Sequence, residues 1–254
     1  MSWRRVVHPF SPLLRFREVV VTTGDSRAAV AAWTRLFDAP AASDAAAVWL
    51  GDTWLRFVSG EVRDATRVAV EVADADAVAG AAVGRGLERT ATDGAPVLVV
   101  SGVPVVLVSR QAPTRAVPAA GGVSRVHHVV VAVDDETSSL ARWRAAFDFR
   151  PAPEGPDGLL APHHVPVGDA WFGVTSRGTD ARAVRRFVAR RGEGVYALAL
   201  VVEDRRRAVA RVTGAGGRVL GTVDDAQVFV HPHSTHGVLV ELLEEWPGGI
   251  RRPR

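Results

Sequence analysis

The sequence predicts an α+β protein made of four copies of one βαβββ unit, arranged as two domains. Three observations predict it. The two halves of the chain align with each other, their leading segments without a gap. In each half a β-rich run passes through aspartate into a helical pattern, and does so twice. A stretch rich in Pro, Ala and Gly separates the halves.

The first aligned pair is REVVVTTGDSRAAVAAWTRLFDAP (17–40) over HHVVVAVDDETSSLARWRAAFDFR (127–150), which sets Trp33 on Trp143, Phe37 on Phe147 and Asp38 on Asp148. In the second copy VVVAVDD reads as a strand, and Leu140, Trp143, Ala146 and Phe147 fall at three-and-four spacing on one helix face. Next, WLGDTWLRFVS (49–59) matches PVGDAWFGVTS (166–176). RVAVEVADADAVAGAAVGRG (67–86) then matches ALALVVEDRRRAVARVTGAG (197–216), a second strand-to-helix step in each half whose helix ends at a glycine suited to a C-cap. PVLVVSGVPVVLV and QVFVHPHSTHGVLVELL close the halves. QAPTRAVPAAGGVS (111–124) joins them, so the expected domains are 1–112 and 125–254, with 113–124 as linker.

Composition excludes several chemistries. There is no cysteine, hence no disulfide, thiolate nucleophile or cysteine-ligated zinc. There is no lysine either, which removes Schiff-base catalysis and a phosphate-loop lysine. All 31 basic residues are therefore arginine, and an arginine-only set raises the pI to 10.6 although the net charge is only +3. No arginine stripe is interleaved with aromatics, so nucleic acid is not an expected partner. No apolar run reaches the roughly 18 residues of a membrane span, and MSWRRVVHPF lacks a signal-peptide core. The expectation is a cytoplasmic protein that handles a small molecule, as monomer or homodimer.

Paired βαβββ units resemble the vicinal oxygen chelate superfamily, which includes glyoxalase I, methylmalonyl-CoA epimerase, extradiol dioxygenases and metal-free bleomycin-resistance proteins. The C-terminal half is most similar to methylmalonyl-CoA epimerase. HHVVVAVDD, RRFVARRGEGVYALALVVEDRRRAVARVTGAGG and VFVHPHSTHGVLVEL stand in that family's order. The resemblance implies a curved sheet holding a ligand on its inner face, usually with a divalent metal such as Co, Ni, Mn, Zn or Fe. Its four ligand positions fall on His128, Gly173, Ala197 and Glu241. Two donors survive, His128 and Glu241. Catalytic divalent sites generally use three protein ligands plus water, so a third group would have to come from His163 or His164 in LLAPHHVPVGD. The resemblance makes His231, with Pro232 behind it, a turn residue, and His233 and His236 rim residues.

The equivalent positions of the N-terminal half are Glu18, Arg56, Arg67 and Val106. Their complementary signs predict a Glu18–Arg56/Arg67 charge cluster, structural in role. In the C-terminal half Glu241 shares a strand face with Leu239 and Leu243, where an isolated charge would cost several kcal/mol. His128 lies on a face with Val130 and Ala132.

Three functions remain open on these residues. In the first, Glu241 and His128, with His163 or His164, move a proton next to a carbonyl in an epimerase, isomerase or lyase reaction. In the second, the chain is a metal-free binding or resistance protein whose cup is lined by Trp171 and Tyr196, with Gly173 leaving room for a ring. In the third it is a degenerate extradiol-type dioxygenase, a reading that Ala197 disfavours by breaking the His-His-Glu set. No nucleotide cofactor is expected.

Overall fold

Four aspartates set the frame, one ahead of each helix that follows a leading strand. The computed structural model describes residues 11–42, 46–60, 66–110, 122–149, 163–176, 181–246 and 249–250. The first repeat comprises β1 (Leu13–Thr23), α1 (Ser26–Phe37), β2 (Ala47–Leu50) and β3 (Thr53–Ser59). The second is β4 (Arg67–Val72), α2 (Ala75–Gly84), β5 (Arg89–Thr92), β6 (Ala95–Val100) and β7 (Val103–Ser109). The third contains β8 (Val123–Ala132), α3 (Glu136–Phe147), β9 (His164–Val167) and β10 (Ala170–Thr175), and α4 (Ala181–Arg191) follows it. The fourth is β11 (Gly194–Val202), α5 (Arg205–Gly214), β12 (Val219–Leu220), β13 (Phe229–Val230) and β14 (Leu239–Trp246), with β15 (Gly249–Ile250) behind it.

The second and fourth repeats are full βαβββ units. Among the described residues the first and third read βαββ. In the first, a single bridge between Ala41 and Val48 marks the place where the short chain after α1 meets β2. The α+β class stands.

Asp25, Asp74, Asp135 and Asp204 each sit in extended conformation and accept the backbone N–H three residues on, at 2.7–3.0 Å. Each such cap contributes about 1 kcal/mol. The bond from the Ser138 amide holds the Asp135 carboxyl below its ordinary range. At the other end, α2 and α5 run into Gly86 and Gly216 at positive φ, as the glycine pattern predicts. α1 and α3 stop differently. Their C-caps are the aligned Asp38 and Asp148 in left-handed conformation, which aspartate tolerates better than most residues.

The strands hydrogen-bond in two sheets, ordered β2-β3-β1-β4-β7-β6-β5 and β12-β13-β14-β11-β8-β10-β9, with β15 on β14. One is drawn from residues 13–109 and the other from residues 123–250. The leading strand pairs in parallel with the last strand of its repeat in β1–β3, β4–β7 and β11–β14, and the intervening strands add as antiparallel hairpins. Linker positions 113–121 lie outside the described residues.

By internal packing the chain divides into two units. Unit 1 holds residues 1–17, 65–114 and 129–196; unit 2 holds 18–64, 115–128 and 197–254. In unit 1, α2 packs on α3, and Leu140, Trp143, Ala146 and Phe147 are all buried. In unit 2, α1 packs on α5. Trp33 is fully buried there, and its indole N–H donates to Thr235 O at 3.1 Å.

Gly217 sits where the chain leaves α5 beside α1. A Cβ there would stand 2.7 Å from both Leu36 Cδ2 and Val212 Cγ1 and 2.9 Å from Val212 O. Gly217→Ala is expected to destabilise unit 2 by about 1–3 kcal/mol, the cost of overpacking a filled site. Urea unfolding checks it; an unchanged midpoint would show that the seam yields. Among the described residues no helix is long and apolar enough to cross a membrane.

Candidate functional site

In unit 2, β8, β11 and β14 place one acid and one imidazole together. The side chain of Glu241 is only 7% exposed on β14. Its neighbours Val240 and Leu242 point the other way into fully buried core, while Leu239 and Leu243 flank it on its own face. A lone carboxylate so buried would cost several kcal/mol. It is not alone: His128 Nε2 lies 3.6 Å from Glu241 Oε2, and Gln227 Nε2 donates to Oε1 at 3.0 Å. His128 in turn meets its neighbour, with Nδ1 to Nδ1 of His127 at 2.9 Å. A contact that short needs one proton between the two nitrogens.

Gln227 was not foreseen. Its position follows from the β13–β14 register: Phe229 pairs with Glu241, so Gln227, two residues earlier on the same face, is a diagonal neighbour of the acid. His127, buried beside His128, was not foreseen either.

The other sequence candidates have the following surroundings. His163 is in unit 1, where its Nδ1 faces Glu136 Oε2 at 3.4 Å; Ser176 donates to the other oxygen of Glu136 through its N–H (2.6 Å) and its hydroxyl (3.0 Å). His164 is also in unit 1, cross-strand from Gly173 on one sheet face, with its ring 5.3 Å from that of Trp171. Tyr196 closes edge-on against Phe187 at 5.3 Å. Ala197 is buried and pairs with Leu239.

The three-histidine loop is a turn. Residues 232–237 are turn throughout, and His236 takes a left-handed conformation. His231 Nδ1 accepts the His233 N–H at 3.0 Å. Burial first, then the charge of Arg218 and His233, lowers the His231 pKa below its ordinary value. A depressed histidine contributes stability that is fully present above its unfolded pKa, about 6.5, and lost as pH falls toward the folded value. Acidification from pH 7.5 to pH 5.5 is therefore expected to destabilise the wild type more than His231→Asn, compared by denaturant midpoint. Equal losses would remove His231 from the account.

The residues do not fit a divalent ion. Gly173 and Ala197 have no donor at two of the four ligand positions. One oxygen of Glu241 is taken up by Gln227. Among the described residues no three His, Cys, Asp or Glu side chains are grouped to hold an ion. In the N-terminal half Arg56 Nε donates to Glu18 Oε1 at 2.6 Å in unit 2. Arg67 is not in that pair: it belongs to unit 1, where it bonds the Thr92 hydroxyl at 3.4 Å.

Among the solved structures that share the fold are two that cover nearly all of this chain. One is a xylose isomerase-like TIM barrel/4-hydroxyphenylpyruvate dioxygenase fusion protein, at TM-score 0.66 and 17% identity over 95% of this chain. The chain spans 50% of that protein's length. The other is a triple mutant of 4-hydroxymandelate synthase from Streptomyces coelicolor, at TM-score 0.63 and 16% identity, covering 97% of this chain and 94% of that one. No curated protein matches the sequence. Residues 125–242 match the family model described as Glyoxalase/Bleomycin resistance protein/Dioxygenase superfamily. That segment, less than half of the chain, is the part that resembles the superfamily, and it carries His128 and Glu241.

Proposed function

We propose that this chain is an enzyme that moves a proton on a carbon next to a carbonyl in a small metabolite, as an epimerase, isomerase or lyase. The observation that carries the proposal is the buried His128–Glu241 contact at 3.6 Å. Glu241 is the base. Gln227 fixes one of its oxygens and leaves Oε2 toward His128. At 3.6 Å the two groups face each other closely enough for one substrate to meet both, the carboxylate at carbon and the imidazole at oxygen. When His127 donates to His128 Nδ1, the neutral imidazole of His128 carries its proton on Nε2. The histidine then supports the enolate as charge develops on oxygen, and the carboxyl group returns the proton. In this reading the substrate is a small molecule, neither nucleic acid nor membrane is a partner, and the protein acts in the cytoplasm as monomer or homodimer. His163 and His164 have no assigned step.

The test is solvent exchange. A panel of 2-oxo acids, hydroxyketones and acyl thioesters is incubated with the protein in D₂O and followed by NMR, before and after treatment with a chelator. Deuterium entering next to a carbonyl, unaffected by the chelator, is the expected result. Quenched tryptophan fluorescence with the compound recovered unlabelled would replace the enzyme by a binding protein.

A further inference from the structure

We infer that unit 1 contains a binding site for a small oxyanion, a carboxylate or a phosphate, built around Glu71. The side chain of Glu71, on β4, is 5% exposed, and arginines approach it from two other parts of the chain. Arg15 on β1 donates Nε–H and Nη2–H to Oε2, at 3.1 and 2.9 Å. Arg17 Nη1 stands 3.6 Å from the same oxygen. Arg110, just past the end of β7, brings Nε within 3.7 Å of Oε1.

One buried carboxylate is neutralised by one guanidinium, and Arg15 alone does this with two charge-assisted hydrogen bonds. Arg110 adds a second cation, beyond hydrogen-bond length and with its side chain 67% exposed. Even with Arg17 left out of the count, two guanidinium groups face one carboxylate, an excess of positive charge. Arg67 is four residues from Glu71 on the same face of β4, with small Ala69 between them, and its bond is to a neutral hydroxyl. Like charges crowded at a partly desolvated position repel, and an added anion relieves that repulsion. The planar guanidinium forks suit the oxygens of a carboxylate or phosphate. Glu71 is thus a positioning residue: it holds Arg15 and draws in Arg110, and the guanidinium N–H groups not engaged with Glu71 are the ones that take the ligand. This site stands apart from the proton-transfer proposal and does not depend on it.

The experiment uses the full chain, with inorganic phosphate and succinate as probes. Thermal unfolding and calorimetric titration are run against sodium chloride at matched ionic strength. The expected result is a saturable rise in Tm with at least one probe and none with chloride. Arg110→Gln should leave the ligand-free Tm unchanged, because the side chain is exposed, and weaken Kd about tenfold, the loss of one charge-assisted contact. Glu241→Gln should bind the probe as the wild type does. Three results would overturn the site: no saturable binding of either probe, an equal response to chloride, or unchanged affinity in Arg110→Gln. Comparing the probes separates a tetrahedral phosphate from a planar carboxylate as the preferred group.

Discussion

Glu241→Gln is expected to lower the rate of carbon deuteration by about 10²–10⁴-fold, the usual contribution of a positioned general base. The substitution is isosteric, and the new amide oxygen can still accept from Gln227 Nε2. With His128 neutral, as proposed, the change removes a buried charge without stranding a cation, so stability should hold rather than fall. This split makes the result informative. A merely structural carboxylate would lose stability along with activity, whereas the base loses activity with Tm intact. The rate is read by NMR in D₂O with the substrate found in the panel, and folding by thermal unfolding of the same sample. A variant that exchanges at the wild-type rate would remove Glu241 from the chemistry.

Trp33→Ala should be the most damaging core substitution in unit 2, at about 3–5 kcal/mol for a fully buried tryptophan. Trp33 packs against Phe37 and Phe57, with ring centroids 4.8 and 6.0 Å away. Its indole N–H ties α1 to the Thr235 carbonyl in the loop before β14. The aligned Trp143 is equally buried, but among the described residues its N–H has no hydrogen-bond partner. A comparison of phenylalanine variants separates packing from hydrogen bonding. Trp33→Phe should cost about 1 kcal/mol more than Trp143→Phe, because it alone strands a buried carbonyl. Denaturant unfolding of both variants measures the difference, and equal losses would show that the Thr235 bond contributes nothing.

The repeat was legible because physical needs recur with it. An aspartate caps each helix after a leading strand, and a tryptophan fills the seam under α1 and under α3. Asp25, Asp74, Asp135 and Asp204, and Trp33 with Trp143, could be read by eye. Alignment of the halves also located the Glu18–Arg56 pair. The left-handed role of Asp38 and Asp148 was hidden, because aligned aspartates do not announce their φ. That only a bridge stands, among the described residues, where the first repeat was expected to have a further strand was hidden too, since a short apolar segment reads alike as strand or bridge.

At the site, His128 and Glu241 were legible through the family pattern on strands that the sequence itself delimits. Gln227 was not, because its neighbour is fixed by hairpin register across a turn that looked like a histidine cluster. The anchoring of His163 on Glu136 was invisible for a similar reason: it joins a loop to the first turn of a helix. The gathering of Arg15 and Arg110 on Glu71 brings together residues far apart in sequence, and nothing in their spacing signals it.

Everything functional turns on whether residues 128 and 241 work as one device. A double-mutant cycle of His128→Asn and Glu241→Gln, read as the deuterium exchange rate in D₂O, measures this directly. If the two groups cooperate in a single transfer, the double variant is barely slower than the worse single variant, as for residues that act as a unit. Losses that simply multiply would mean two separate contributions and would undo the paired acid–imidazole account.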